Sequence, residues 1–163
     1  MRSALVNDYN IHNLPGVSFH RSAPQRPIIR HNSIHMKADI KDSTDIKLFV
    51  DQFYGKIQQD DLLGPIFGAV IKDWGPHLEK MYQFWNAVLF GVQGFKGNPF
   101  ARHAPLPISQ EHFDRWLILF RETIDAGFEG ERAIDVKTRA EIMSVMFVSK
   151  LDHMRANPGY KIL

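Results

Sequence analysis

Fifteen residues, STDIKLFVDQFYGKI at positions 43–57, carry the pattern that decides the fold. Their apolar side chains recur at intervals of three and four residues, which places them on one face of an α-helix. They are Ile46, Phe49, Val50, Phe53, Tyr54 and Ile57. Ser43 or Thr44 is the expected N-cap, because a hydroxyl oxygen at that position can accept a backbone N–H. The stretch predicts an amphipathic helix that buries one face.

The same helical pattern continues towards the end of the chain. Positions 62–68 (LLGPIFG) predict a turn with at most one turn of helix, and three further helices are expected. The apolar face of the first of these helices consists of His77, Met81, Phe84, Trp85, Val88 and Leu89. The second helix is expected to have its cap near Ser109, and its apolar face consists of Phe113, Trp116, Leu117 and Phe120. The third is expected over about 133–153, with an apolar face of Val136, Ala140, Met143, Phe147 and Leu151 and with Met146 alongside. No stretch alternates as a strand does, so the predicted fold class is all-α.

Composition narrows the classes of function. The 163 residues contain no cysteine, which excludes disulfides, thiolate–zinc sites, cysteine-held iron–sulfur clusters and cysteine nucleophiles. The net charge of +2 is too small to indicate a nucleic-acid partner. No apolar run approaches the roughly 20 residues that span a membrane. We therefore expect a cytoplasmic protein whose partners are neither nucleic acid nor membrane.

The first 35 residues differ from the rest of the chain. Four arginines against one aspartate make them basic, and three prolines and four serines interrupt any helical period. This composition is typical of a flexible extension; it lacks the apolar region of a secretory signal but also fits an organelle transit peptide. No metal-ligand spacing is matched by its histidines, which are His12, His20, His31 and His35. The predicted organisation is an extension over 1–38, a helical domain over 39–157 and a tail over 158–163.

His103 is the first candidate for chemistry. It lies between a break formed by Gly91, Gly94, Gly97 and Pro99 and the two prolines of the segment RHAPLP at 102–107. Prolines can hold a side chain at a fixed angle without a long helix. A neutral imidazole is a good ligand for haem iron. The pattern alone does not separate such a ligand from an exposed loop histidine.

Three other side chains have a packing interpretation beside the functional one. His77 shares a helix face with Met81 and Phe84, where a histidine commonly belongs to the core or its rim. Tyr54 and Trp116 each carry a hydrogen-bond donor that needs a partner when it is buried, although most such residues on amphipathic helices simply pack. The Asp60-Asp61 pair is expected to lie at the surface or to cap a helix.

Several of these motifs occur together in one order. They are FYGK at 53–56, LGPIF at 63–67, WGPH at 74–77, FW at 84–85, RHAPLP at 102–107 and HFDRWLILF at 112–120. Together they resemble the truncated haemoglobins, above all their third group, over about residues 42–155. The Gly-Gly pairs of some truncated globins are not evident here, a departure that blurs helix boundaries but leaves the ligand assignments intact.

The resemblance implies a truncated globin-like helical sandwich around a haem pocket, with haem b as cofactor. His103 matches the ligand of the iron. Tyr54 and Trp116 match the distal residues that donate hydrogen bonds to the gas, and His77 matches the distal-helix histidine, which can act as a gate. The residues implied as walls of the porphyrin are Phe53, Phe67, Met81, Phe84, Phe113 and Phe120, with Trp116 beside them. Lys80 and Arg102 are implied for the propionates.

The function implied by the resemblance is the binding of dioxygen, nitric oxide or carbon monoxide. A protein of this kind either carries, stores or senses dioxygen, or detoxifies nitric oxide or reduces peroxide with electrons from an external reductase. The alternative from another class is a cofactor-free helical interaction domain that grips a partner with its methionine and aromatic stripes.

Overall fold

The computed structural model describes residues 37–157, and every regular element in that range is an α-helix. The six helices are α1 (Ser43–Gln59), α2 (Leu63–Val70), α3 (Trp74–Phe90), α4 (Pro99–His103), α5 (Gln110–Gly127) and α6 (Glu131–Ala156). The predicted all-α class is confirmed. None of these helices is long and apolar enough to cross a membrane. Of the extension predicted for 1–38, residues 1–36 lie outside the described residues. The tail predicted for 158–163 lies entirely outside them.

Helix α1 forms the centre of the fold and packs against α2, α3 and α5. Its periodic apolar face is buried as predicted, and Phe49 is fully enclosed. The Phe49 ring meets Trp85, Phe120 and Phe128 edge-on, with ring centroids 6.0 to 6.4 Å apart. Edge-to-face contacts of this kind add to the free energy of burial. An aromatic main core thus joins α1, α3 and α5.

An aspartate, and not the expected hydroxyl residue, caps α1, and a second aspartate accepts backbone N–H groups at the start of α2. The Asp42 side chain accepts the backbone N–H groups of Thr44 and Asp45, so the predicted cap at Ser43 or Thr44 is wrong by one or two residues. Asp60 accepts the N–H groups of Leu62 and Leu63, which confirms its capping role. This cap starts an eight-residue helix α2 where the sequence indicated at most one turn.

The last helix begins earlier than its periodicity indicated. The Asp39 carboxylate accepts the backbone N–H groups of Arg132 and Ala133, and so supplies a cap from the far end of the domain. A Cβ at Gly130 would lie only 2.5 Å from the Asp39 Cγ, so this approach needs glycine. The helix then runs over Glu131–Ala156 and not over 133–153. Met146 is exposed, contrary to its expected place beside the buried face.

Helix α4 is a five-residue helix that ends at His103. Pro99 occupies its first turn, where a missing N–H costs nothing, and the Asn98 side chain accepts the Ala101 N–H. Helix α5 then starts at the predicted Ser109 cap. In this capping box His112 takes the place of the usual glutamate, because its Nδ1 accepts the Ser109 backbone N–H at 3.1 Å.

Candidate functional site

The tautomer of His103 is determined by a hydrogen bond within α4. Its Nδ1 lies 2.7 Å from the Pro99 carbonyl oxygen. A carbonyl oxygen only accepts, so Nδ1 carries the proton and Nε2 keeps its lone pair. Burial lowers the pKa of His103 below its ordinary value, while the bond to Pro99 acts in the opposite direction. His103 is therefore a neutral imidazole with a free nitrogen, the form that binds a metal.

Phe147 of α6 supports the His103 ring. The two ring centroids are 5.1 Å apart, and Phe147 also contacts Phe100 at 5.5 Å and Phe113 at 6.3 Å. Phe147, Phe100 and Phe113 are buried together with Ile108 and Leu151 in a second apolar cluster between α4, α5 and α6. Helix packing thus fixes the ring of His103 as well as its tautomer.

His77 lies in the first turns of α3 and contacts two aromatic rings. Its ring centroid is 4.9 Å from Tyr54 and 5.8 Å from Trp74, and both contacts are edge-on. Burial lowers the pKa of His77, and the charges of His103 and Lys80 lower it further. Like His103, His77 is therefore an imidazole whose neutral form is favoured by burial.

The His77 Nε2 atom is buried and has no hydrogen-bond partner among the described residues. Buried polar side-chain atoms are normally paired, and an unpaired one costs about 1–3 kcal/mol. Such an atom indicates that the site is built to meet a group that the protein itself does not provide. His77 and His103 thus present one free nitrogen each.

Tyr54 and Trp116 carry one hydrogen-bond donor each and stand on different helices, α1 and α5. Burial raises the pKa of the Tyr54 hydroxyl, which therefore stays protonated at every physiological pH. The Tyr54 ring meets Phe53 at 5.0 Å and Phe67 at 6.2 Å. Trp116 stacks on Phe120 with ring planes 6° apart and meets Phe53 edge-on at 5.2 Å. Phe53 is therefore a shared support for both donors.

The residues predicted as walls of the porphyrin lie in three parts of the fold: the main core, the edge of that core and the second cluster. Phe53 and Phe120 are fully buried within the main core, whereas Phe67, Met81 and Phe84 are half-buried at its edge. Phe113 belongs to the second cluster, on the side of His103. Met143 of α6 contacts both clusters. The predicted walls and Met143 thus come from five helices, α1, α2, α3, α5 and α6.

Lys80 and Arg102, the residues predicted for the propionates, are exposed. Lys80 follows His77 by three residues on α3, and its charge acts on the His77 imidazole. Arg102 directly precedes His103 on α4. One cation therefore stands near each histidine, at the surface of the molecule.

A surface groove of about 530 Å³ lies elsewhere, on another face of α3. Its lining residues include Lys41, Ser43, Tyr82, Asn86 and Phe95. None of the predicted site residues lines it. The groove therefore belongs to the junction of α1 and α3 and not to the candidate site.

Comparison with known proteins decides the family. The sequence model of the family described as bacterial-like globin matches residues 39–151. The chain belongs to the bacterial-like globin family. Within it, this globin is a truncated haemoglobin most similar to group III. It is 31% identical over 121 residues to the group 3 truncated hemoglobin of Campylobacter jejuni. The aligned region covers 71% of this chain and 95% of that protein.

Solved structures give the same relationship. The crystal structure of the group III truncated hemoglobin from Campylobacter jejuni superposes with a TM-score of 0.67 and 31% identity, over 71% of this globin and 95% of that chain. The truncated oxygen-avid haemoglobin from Bacillus subtilis superposes with a TM-score of 0.59 and 29% identity, over 66% of this globin and 93% of that chain. The predicted truncated-globin fold is confirmed.

Family membership makes this globin a haem protein that binds gases, and the alternative of a cofactor-free interaction domain is not favoured. The residues present fit such a cofactor. A flat apolar disc with two carboxylates requires apolar side chains, a nitrogen ligand and cations at its edge. The half-buried Phe67, Met81 and Phe84, the free Nε2 of His103 and the exposed Lys80 and Arg102 provide these three features.

Sequence reasoning assigned no role in the site to Trp74 or Phe147. Trp74 appeared only as part of the WGPH motif, and Phe147 only as a member of the buried face of α6. Their contacts with His77 and His103 join residues from separate turns or separate helices. No spacing rule along one helix identifies the contact between α4 and α6.

Proposed function

We propose that this globin binds dioxygen and other diatomic gases on haem b, with His103 as the axial ligand. The observation that carries the proposal is the 2.7 Å bond from the His103 Nδ1 to Pro99, because it leaves the Nε2 lone pair free in a neutral ring. Metal-binding histidines commonly donate their other N–H to a carbonyl or carboxylate, which fixes the tautomer and raises the basicity of the ligand.

When bound, haem would supply an iron that binds a gas molecule reversibly, and His103 would hold that iron through its Nε2. Tyr54 and Trp116 would donate hydrogen bonds to the gas, since Tyr54 stays neutral and the Trp116 indole is a donor only. In an apolar pocket each bond is stronger than in water and favours a polarised gas such as dioxygen. His77 acts as the gate for entry, and Lys80 and Arg102 pair with the propionates.

The same pocket admits nitric oxide and carbon monoxide, which are diatomic like dioxygen. Detoxification of nitric oxide, or a peroxidase-like reaction, draws its electrons from an external reductase. The extension outside the haem domain ends before Lys37, and the protein acts in the cytoplasm. Oxygen transport and storage require only reversible binding and need no such partner.

The absorption spectrum of the purified full-length protein tests the proposal. We expect a Soret band without added haem, and a shift of that band when the reduced protein is exposed to carbon monoxide. A protein that contains no haem after expression with ample haem supply would contradict the proposal. A Soret band that carbon monoxide does not shift would contradict the gas-binding part alone.

A further inference from the structure

The two aromatic neighbours of His77 differ in how far they are exposed to solvent. Tyr54 is only 5% exposed and is held by Phe53 and Phe67. Trp74 is partly exposed and occupies the first position of α3. Its ring centroid lies 5.8 Å from His77 and 6.0 Å from Tyr54. The three rings form one contact group in which Tyr54 is buried, whereas Trp74 and His77 are partly exposed.

The backbone beneath Trp74 is fixed by a cap. The Asp73 carboxylate accepts the Gly75 N–H at 3.0 Å, and Pro76 fixes its own φ and restricts the preceding Gly75. The Trp74 ring therefore meets His77 from a rigid first turn. By contrast, no hydrogen bond from the described residues holds the His77 Nε2. Contacts with the Tyr54 and Trp74 rings therefore hold the His77 ring in place.

We propose that Trp74 is a positioning residue that holds the His77 ring against Tyr54. Both rings contact His77, so a His77 ring that turns away from Tyr54 also changes its contact with Trp74, and Trp74 thereby sets how often the path past His77 opens. The consequence for gas entry rests on the proposed function, whereas the hold on His77 does not.

Carbon monoxide association after flash photolysis measures entry, with the full-length protein and its haem. We expect Trp74→Ala to raise the association rate about two- to tenfold, the range given by the loss of one aromatic contact. Trp74→Phe restores most of the native rate, because a phenyl ring keeps the contact. The matched control is Phe90→Ala, which removes a half-buried aromatic at the other end of α3 and leaves the rate unchanged.

A double variant distinguishes positioning from general loosening. If Trp74 acts through His77, adding Trp74→Ala to His77→Leu changes the association rate no further. An equal effect in both backgrounds overturns the proposal, and so does an unchanged rate in Trp74→Ala alone.

The orientation of the His77 side chain gives a second readout that does not depend on gas binding. NMR of the full-length protein should show one His77 rotamer in the native chain and in Phe90→Ala, and at least two in Trp74→Ala. A single rotamer in Trp74→Ala overturns the proposal. A missing Soret band in the native protein contradicts the proposed function, while the rotamers still decide whether Trp74 holds His77.

Discussion

The two histidines of the site are both neutral, but they differ in their hydrogen bonding. Burial is the largest cause of the lowered pKa in each ring. The one N–H of His103 donates to the Pro99 carbonyl oxygen, whereas His77 has a buried nitrogen without a partner among the described residues. A nitrogen that is fixed and basic suits a permanent ligand, and an unpaired one suits a side chain that moves.

The first prediction concerns the axial ligand. His103→Ala should abolish stable haem retention, because it removes the imidazole nitrogen that is proposed to bind the iron. Added imidazole should restore part of the Soret band by occupying the cavity. The measurement is haem content after gel filtration, with His153→Ala at the exposed end of α6 as the matched control. A native Soret band in His103→Ala without imidazole would refute the assignment.

The second prediction concerns the two donors. Tyr54→Phe and Trp116→Phe should each raise the dioxygen dissociation rate about ten- to a hundredfold, because a hydrogen bond to a partly charged oxygen is worth about 1.5–3 kcal/mol. Carbon monoxide, which is less polar when bound, should respond much less. Stopped-flow dissociation of both gases gives the comparison.

Tyr82→Phe is the control for this pair. The Tyr82 hydroxyl donates to Asp51 at the junction of α1 and α3, away from the two histidines, so its loss should leave both rates unchanged. Unchanged dioxygen release in both Tyr54→Phe and Trp116→Phe would leave those residues with a packing role only.

Among the helices, the caps connect parts of the chain that are far apart. Asp39 caps α6 from 93 and 94 residues away. Asp60 caps α2 and also accepts the Arg115 Nε of α5 at 2.6 Å. Burial works to raise the pKa of each carboxyl, but the hydrogen bonds outweigh it and lower the pKa below 3.8. These carboxylates orient whole helices and do not merely complete their ends.

The third prediction follows from the Asp39 cap. Asp39→Ala should lower the free energy of unfolding by about 1–2 kcal/mol, the usual cost of a lost N-cap. The native pKa of Asp39 lies below its ordinary value, so its contribution is complete above about pH 4 and declines as the pH falls through the folded-state pKa. Denaturant unfolding at pH 7 and pH 3 should therefore show a larger difference between native and variant at pH 7.

Asp61→Asn, an exposed aspartate beside Asp60, is the matched control and should have little effect at either pH. Equal free energies of unfolding for the native protein and Asp39→Ala at pH 7 would show that the Asp39 cap does not stabilise α6.

In the molecule as a whole, a short segment before α1 is bonded to the junction between α5 and α6. The Lys37 ammonium donates to the Asp125 carbonyl, and the Glu129 N–H donates to the Ala38 carbonyl. Ile40 is fully buried in the main core. Residues 37–40 therefore belong to the folded body, since they close the turn between α5 and α6 over α1.

The fourth prediction divides the chain at this segment. A shortened protein that starts at Met36 should fold and retain haem like the full chain. One that starts at Lys41 loses the Asp39 cap and the Ile40 side chain, whose burial is worth about 1.5–3 kcal/mol, and should unfold at markedly lower denaturant. Circular dichroism and haem content compare the two. Loss of haem from the Met36 protein would place residues 1–35 within the haem domain.

Features that depend on neighbours along the chain could be read from the amino-acid order. The spacing of Phe49, Phe53 and Ile57 identified α1, Ser109 identified the start of α5, and the glycines and prolines around His103 identified a constrained segment. A helix repeats every 3.6 residues and its first turn needs a local acceptor, so both leave a signal in a short window. The order and identity of the aromatic motifs also indicated the globin family.

Features that depend on distant residues came only from packing. The approach of Asp39 to Gly130, of Trp74 to Tyr54 and of Phe147 to His103 joins side chains whose separation in the chain follows no period. Burial, which makes both histidines neutral and leaves one nitrogen of His77 unpaired, is likewise a property of the packed helices. A side chain loses its water only when another part of the chain covers it, and no local pattern records which part that will be.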